Sequence, residues 1–163
     1  MKRVVIALGL VVLASPALAA DCNAPPSPGV DWQRCSLHGR DLVGSDLAGA
    51  RVIDTSFHRA DLAKADLSKA SAYRAKFISA KMSGAVLDEG SFVESDFTKA
   101  DLTGASLKNT DLRRTRFFQA ILRGADLTGA RLSNADLLQA DLSGATWTDG
   151  KRVCAEGSVG QCH

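Results

Sequence analysis

Histidine, aspartate and serine are the residues of this sequence that could do metal, acid–base or nucleophilic chemistry. His38 and His58 lie 20 residues apart, and ten aspartates recur at multiples of five between Asp41 and Asp141. Two imidazoles with no third ligand at the same spacing make a poor metal site, and evenly recurring aspartates are typical of a structural repeat. No serine lies in a GxSxG or GxxxxGK[ST] motif. We therefore expect no catalytic, metal-binding or cofactor-binding residues, and no enzymatic activity.

The four cysteines lie in two pairs near the ends of the chain, Cys22 with Cys35 and Cys154 with Cys162. No CxxC occurs, and no cysteine has zinc-ligand spacing to a histidine or another cysteine, so neither a redox site nor a zinc site is indicated. An even number of cysteines is typical of structural disulfides when a chain is exported.

The N-terminus has the pattern of a secretory signal peptide. Lys2 and Arg3 precede an apolar run over 4–14, and Ala17-Leu18-Ala19 supplies the small residues of a cleavage site. The apolar run is shorter than the roughly 20 residues that span a bilayer. We therefore predict cleavage after Ala19 or Ala20, export to the periplasm or the extracellular space, and no stable membrane insertion. The mature chain then has 18 basic and 18 acidic residues, which gives no reason to expect nucleic-acid binding.

Between Cys35 and Asp149 the chain repeats in blocks of five, best seen in ADLTG and ADLSG. An apolar residue occupies every fifth position from Leu37 to Trp147, which we call the inward positions, and small residues predominate two positions earlier. On an α-helix a five-residue step rotates by about 140°, so these residues would spiral around it. On a continuous strand they would alternate between faces. The whole apolar set can be buried only if the chain turns a corner at every block.

Phenylalanines indicate how many blocks make one coil. Inward phenylalanines recur every 20 residues, at Phe57, Phe77, Phe97 and Phe117. Glycines recur at the same spacing near a block end, at Gly44, Gly84, Gly104, Gly124 and Gly144, where a corner suits permissive backbone. Residues four blocks apart are therefore neighbours in successive coils. The sequence predicts an all-β solenoid of five to six 20-residue coils, with the phenylalanines as a core ladder.

The pattern A-(D/N)-L-x-x resembles the pentapeptide-repeat family over about 115 of the 163 residues. The resemblance implies a right-handed, four-sided (quadrilateral) β-helix and supplies no catalytic residues. We divide the chain into a signal peptide (1–20), an N-terminal cap (21–34), the β-helix (35–149) and a C-terminal tail (150–163). The tail resembles closing segments of exported members of this family.

We predict disulfides between Cys22 and Cys35 and between Cys154 and Cys162. The latter two are eight residues apart in a glycine-containing stretch that could loop back. Bonded cysteines have Cα atoms about 4.4 to 6.8 Å apart, whereas coils spaced by about 4.8 Å make a rod roughly 28 Å long. Pairing of Cys35 with the C-terminal cysteines is therefore disfavoured, and only Cys22, on a flexible lead, could in principle reach the far end.

Charge differs among the four sides, which we name by their residues. The acidic side (inward Leu47 to Trp147) has two lysines against six carboxylates. The phenylalanine side (Leu37 to Leu137) has four cations against two carboxylates, and the arginine side (Val52 to Leu132) has five arginines against three carboxylates. The glycine side (Leu42 to Leu142) completes the coil. The arginine and phenylalanine sides adjoin, so the predicted rod has a basic half.

The basic half also carries outward apolar residues, which we interpret as a surface for a protein partner or for self-association. They are Ile53, Tyr73 and Val93 on the arginine side, and Ile78, Phe118 and Leu138 on the phenylalanine side. The sequence favours a non-enzymatic exported scaffold or interaction module. The alternative is a DNA mimic that inhibits or protects a topoisomerase, as some members of the family do, but a neutral, exported chain argues against it.

Overall fold

The computed structural model describes residues 20–163, so all but the last residue of the predicted signal peptide lies outside the described residues. Residues 20–163 form no α-helix and no continuous strand, because each block of five supplies one bridge residue followed by a tight turn. Parallel bridges join positions 20 apart, from Asp31 with Arg51 to Asp126 with Thr146. Twenty residues are four blocks, so the chain winds as the four-sided coil that the phenylalanine spacing predicts.

The inward positions form the core. The four ladder phenylalanines are fully buried, and their rings stack nearly parallel with centroids 5.0, 4.8 and 5.2 Å apart. Phe92 of the arginine side packs tilted against Phe77 and Phe97, 5.9 Å from each. Each buried ring contributes on the order of 1.5 to 3 kcal/mol. The aromatic ladder is therefore the packed interior of one side and is closed to ligands.

Small residues two positions before the inward ones face the interior as well. Four of them carry buried hydroxyls, Thr55, Ser95, Thr110 and Thr115. Each hydroxyl donates to a carbonyl oxygen of the preceding coil, as Thr115 Oγ1 does to Phe92 O at 2.8 Å. No buried side-chain nitrogen or oxygen lacks a hydrogen-bond partner in the described part of the chain. The core thus accepts hydroxyls without leaving a desolvated polar group unpaired.

Every corner of the coil has left-handed backbone. The second residue after each inward position from Arg34 to Gly144 has φ between 54 and 72°, and most of these residues are not glycine. Lys64, which interrupts the glycine column, has φ 58°. An L-residue in this conformation costs roughly 1 to 2 kcal/mol, so the cross-coil hydrogen bonds and the core must offset strain at each turn. Glycine relieves that strain where it occurs.

Trp32 closes the N-terminal end of the coil. It is fully buried, lies 6.5 Å from the Phe57 ring, and donates from Nε1 to Ala24 O at 3.3 Å. The bridge ladder accordingly includes Asp31 and begins before the predicted start at Cys35, because Trp32 takes an inward position. Arg40, the one charged residue in the small-residue column, lies over the indole at 5.6 Å.

The C-terminal tail reverses direction. Instead of a further parallel coil, it makes two antiparallel bridges, Thr146 with Val153 and Asp141 with Val159. These bridges lie on the acidic and glycine sides, and Gly160 then approaches the backbone of Leu137 and Gln139, so the tail also reaches the phenylalanine side. Cys154 and Cys162 close it with a disulfide whose Cα atoms are 4.9 Å apart.

A disulfide fastens the N-terminal lead as well, since Cys22 is bonded to Cys35 with Cα atoms 5.4 Å apart. Both pairs are those predicted, and no described cysteine is free, so Cys22 does not reach the far end. Two disulfides are typical of an oxidising compartment. In residues 20–163 there is no helix long and apolar enough to cross a membrane.

Candidate functional site

The histidines with the right spacing for a metal pair are neighbours on the phenylalanine side. The rings of His38 and His58 lie 5.7 Å apart, and His38 Nε2 is hydrogen-bonded to Ser56 Oγ at 2.7 Å. No cluster of three or more His, Cys, Asp or Glu side chains that could hold a metal occurs in the described region. The pair therefore lacks a third ligand, and a hydroxyl already engages one of its nitrogens.

The aspartate ladder has a structural use. Each of its ten members, from Asp41 to Asp141, accepts a hydrogen bond at Oδ1 from the backbone N–H two residues later. This Asx geometry supports the turn that follows each bridge residue. At Asp126, hydrogen bonds from Thr128 and a contact from Lys108 overcome partial burial and lower the pKa. The ladder's carboxylates therefore serve as hydrogen-bond acceptors within the turns they stabilise.

Tyr73 is the most exposed apolar residue of the predicted surface on the arginine side. Its side chain is 38% exposed, and Ile53 and Val93, one coil before and after, are partly exposed. The Tyr73 hydroxyl donates to Glu94 Oε2 at 2.9 Å, and this bond to a carboxylate raises the tyrosine pKa. The Arg74 guanidinium lies 5.9 Å from the ring centroid. Neighbouring charges thus fix the ring in place on the surface.

Two shallow grooves adjoin this column. The Tyr73 groove, about 540 Å³, is lined by Tyr73, Val93, Glu94, Arg113, Arg114, Ser133 and Asn134. The corner groove, about 360 Å³, runs between the arginine and phenylalanine sides and is lined by Arg74, Lys76, Glu94, Ser95, Asp96, Arg114, Arg116 and Asp136. Glu94 and Arg114 belong to both. The Tyr73 groove therefore includes two of the predicted surface residues, Tyr73 and Val93, whereas the corner groove includes none of them.

Ion pairs neutralise most of the arginine side. Its arginines Arg51, Arg74, Arg113, Arg114 and Arg131 all lie within ion-pair distance of a carboxylate. Asp111, which is 8% exposed, accepts from Arg113 at 2.8 Å and from Arg131 at 2.7 Å. The hydrogen bonds from Arg113 lower its pKa against the effect of burial. The surplus of arginines counted in the sequence is therefore locally compensated.

The phenylalanine side keeps free cations. Arg59, Lys76 and Lys99 are exposed and make no ion pair with any residue from 20 to 163. Lys76 is in the same block as the half-buried Ile78, and the other two cations lie one coil to either side, at about 4.8 Å per coil. We call Arg59, Lys76, Lys99 and Ile78 the Ile78 patch. Summing charge by side did not single it out, and the 20-residue spacing alone would have paired Lys76 with Asp96, which instead pairs with Arg116.

Phe118 and Leu138 are the other two outward apolar residues predicted on the phenylalanine side. Phe118 is partly exposed, whereas Leu138 on the last coil is 61% exposed. The structure therefore brings Tyr73 and Val93 together at one groove and places Ile78 among free cations. It separates Leu138 from both, at the C-terminal end.

The pentapeptide repeats family model matches in eight copies, over residues 41–78, 80–119 and 110–146. No curated protein matches the chain. A trypsin-treated variant of QnrB1, a plasmid-mediated fluoroquinolone resistance protein, is similar in structure with a TM-score of 0.54 and 21% identity, covering 79% of this chain and 73% of that one. HetL of the cyanobacterium Nostoc, which is involved in heterocyst differentiation regulation, is 26% identical, with a TM-score of 0.32 and 76% and 70% coverage.

A pentapeptide repeat protein of the Arabidopsis thaliana thylakoid lumen also matches, at 26% identity and a TM-score of 0.32, over 76% of this chain and 83% of that one. The QnrB1 likeness shows the fold alone, and the repeat model covers more than half of the sequence. Together with the bridges at 20-residue separation, this shows that the chain belongs to the pentapeptide repeat family, whose members form right-handed quadrilateral β-helices.

Proposed function

We propose that this protein is an exported, non-enzymatic interaction module, a rod of five to six coils that presents one side to a protein partner. The Ile78 patch is the observation that carries this proposal. Its three cations are free while the arginines around Tyr73 are ion-paired, and an apolar side chain lies between them. An acidic partner segment with an apolar residue would find both charge and contact complementarity there.

The corner groove provides a concave surface next to the cations of the Ile78 patch. Lys76 lines the corner groove, so a partner bound at Ile78 would extend over the corner toward Tyr73. Along that corner the charges alternate from coil to coil, with Arg74 and Lys76 followed by Glu94 and Asp96. This alternation favours one register of a charged partner segment, because a shift by one coil would place like charges opposite each other.

Export is supported by the N-terminal pattern and by the disulfides, which persist in oxidising compartments. A non-enzymatic role is supported by the engagement of all ten ladder aspartates with backbone. The alternative, a DNA mimic acting on a topoisomerase, requires an acidic rod. Only one side of this rod has a clear excess of carboxylates, so we rank that alternative second.

A photo-cross-linking residue placed at Ile78 in cells tests the interaction. We expect a discrete covalent adduct with one envelope or secreted protein. The matched control is the same residue at Ile121, which is 39% exposed on the glycine side and should give no such adduct. Reversing the charges of Lys76 and Lys99 to glutamate should remove the adduct, whereas the same change at Lys64 should not. Identical adducts from both positions would overturn the proposed surface.

Fractionation of the same cells tests export. We expect the chain in the periplasm or the medium, with an N-terminus at Ala20 or Asp21. A cytoplasmic chain that retains residues 1–20 would contradict export and bring forward the topoisomerase alternative.

A further inference from the structure

The acidic side carries carboxylates that no cation of the chain neutralises. In the four-sided coil this side is two corners away from the phenylalanine side, so the two are opposite faces of the rod. Three of its carboxylates, Asp46, Asp66 and Asp88, make no ion pair with any residue from 20 to 163. Each uses Oδ1 for an intrachain hydrogen bond. The rod therefore has free anions on the face opposite the free cations of the Ile78 patch.

An apolar side chain lies among these carboxylates. Val86 is partly exposed and is bridged to Asp66 one coil earlier, and Asp88 lies in its own block. We call Asp46, Asp66, Asp88 and Val86 the Val86 patch. It has the composition that the proposed function requires of a partner for the Ile78 patch, namely carboxylates around an apolar residue. We propose that this partner is a second copy of the chain, an inference that rests on the proposed function.

Two rods placed side by side with parallel axes bring the two patches face to face. The chain crosses opposite sides of a coil in opposite directions. A residue that follows an inward position on one copy therefore faces a residue that precedes an inward position on the other. Because both rods advance in the same direction, a match on one coil is repeated on the next, at about 4.8 Å per coil. A single choice of register therefore fixes all the contacts.

The register that places Ile78 against Val86 also matches the polar residues of the two faces. It pairs them by opposite charge, or as an imidazole with a carboxylate: Lys76 with Asp88, Asp96 with Lys108, His38 with Asp46 and His58 with Asp66. Among residues 20–163, Arg59 opposite Lys64 is the one like-charge contact of this register. Asp66 lies in the block that follows Lys64, so both of these cations have a carboxylate nearby.

A corner of the rod gives an independent match in the same register. Between the arginine and phenylalanine sides, Asp54 is followed one coil later by Arg74, and the two are ion-paired at 3.2 Å. Between the acidic and arginine sides, Lys69 is followed one coil later by Glu89, and these are paired at 3.8 Å. The order of the charges is opposite in the two pairs. Asp54 therefore faces Lys69 and Arg74 faces Glu89, which forms a square of alternating charge.

A shift by one coil in either direction removes this agreement. One shift places Arg74 opposite Lys69, and the other places Lys76 opposite Lys108. Like charges at a contact are unfavourable, so the charges select one register. The two patches lie on opposite faces of the same chain, which makes the contact heterologous. Such a contact does not close, and rods add side by side into open rows.

Sedimentation velocity of the purified, disulfide-bonded mature protein tests this self-association. At low ionic strength we expect species larger than a dimer that grow with protein concentration. They should be lost in about 1 M sodium chloride, where the Debye length is about 3 Å. Val43→Glu is the matched control, because Val43 is 53% exposed on the glycine side, outside both patches, and this variant should associate as the unaltered protein does.

Two double variants separate the two faces. Lys76→Glu with Ile78→Glu alters only the Ile78 patch, and Asp66→Lys with Val86→Lys alters only the Val86 patch. Each variant should be monomeric alone, and circular dichroism verifies that it is folded. A mixture of the two can form one contact, so we expect a species of two chains and none larger. Monomers in the mixture, or rows that persist in either variant alone, would overturn the inference.

A photo-cross-linking residue at Ile78 identifies the contact directly. In the purified protein we expect an adduct to residues 85–89 of another copy. If the purified protein stays monomeric while the same position cross-links to a different envelope protein in cells, self-association is wrong and the partner surface stands. No adduct from this position, either in cells or in the purified protein, would contradict both.

Discussion

Replacing Phe97 by alanine tests whether the inward ladder supplies the stability of the rod. Phe97 is fully buried and stacks on Phe77 at 4.8 Å and Phe117 at 5.2 Å. Removing a buried phenylalanine ring costs roughly 3 to 5 kcal/mol through lost transfer energy and the remaining cavity. Because a domain of this size is stable by only about 5 to 15 kcal/mol, the variant should lose at least about a fifth of its stability.

Guanidinium unfolding followed by circular dichroism measures this loss. Phe118→Ala is the matched control, since Phe118 has the same side chain, on the same side of the rod, but points outward and is partly exposed. We expect it to cost about 1 kcal/mol or less. Phe97→Leu keeps most of the volume and should cost less than about 1.5 kcal/mol. Equal costs for the two alanine variants would refute the assignment of the ladder as core.

Two further variants address the corners and the carboxylates. Gly104→Ala should destabilise the protein by roughly 1 kcal/mol in the same unfolding assay. Gly104 has φ 64° and a methyl group there meets no atom within 4 Å, so the assay measures backbone strain alone. An unchanged unfolding midpoint would contradict this. Arg113 lowers the pKa of Asp111 below its ordinary value of 3.8. The ionised carboxylate therefore stabilises the fold above about pH 4, and this contribution is lost as the pH falls through the folded-state pKa. Asp111→Asn should therefore lower the melting temperature at pH 7 and flatten its fall in acid, and a parallel pH profile would count against the ion pair.

The coil could be predicted from the sequence because its signal is repeated many times. The five-residue repeat determines the corners and the core, and four repeats determine which residues are neighbours in successive coils. Phe57 and Phe77 are therefore adjacent for the same reason that Asp54 and Arg74 are, because each pair is separated by one coil. Seven of the twelve ion pairs join residues 20 apart, but summing charge over each side concealed them. The free cations at Lys76 and Lys99 appear only after the pairs are removed.

The ends could not be predicted in the same way. Trp32 enters the coil one block before the recognisable repeat, where its ring packs against Phe57 and its Nε1 donates to Ala24 O. The tail after Trp147 has no period, so nothing in its composition specifies that Val153 and Val159 pair antiparallel. The direction of pairing is decided by tertiary fit and by the disulfide between Cys154 and Cys162.

The constant separation of bridged residues has a consequence for the order of folding. Every parallel bridge joins residues 20 apart, so no coil has to wait for a more distant part of the chain before it can pair. A chain that emerges from its N-terminus can form the Trp32 end first and then add coils one after another, each on the template of the last. The tail emerges after the coils, and its reversal ends the growth of the rod.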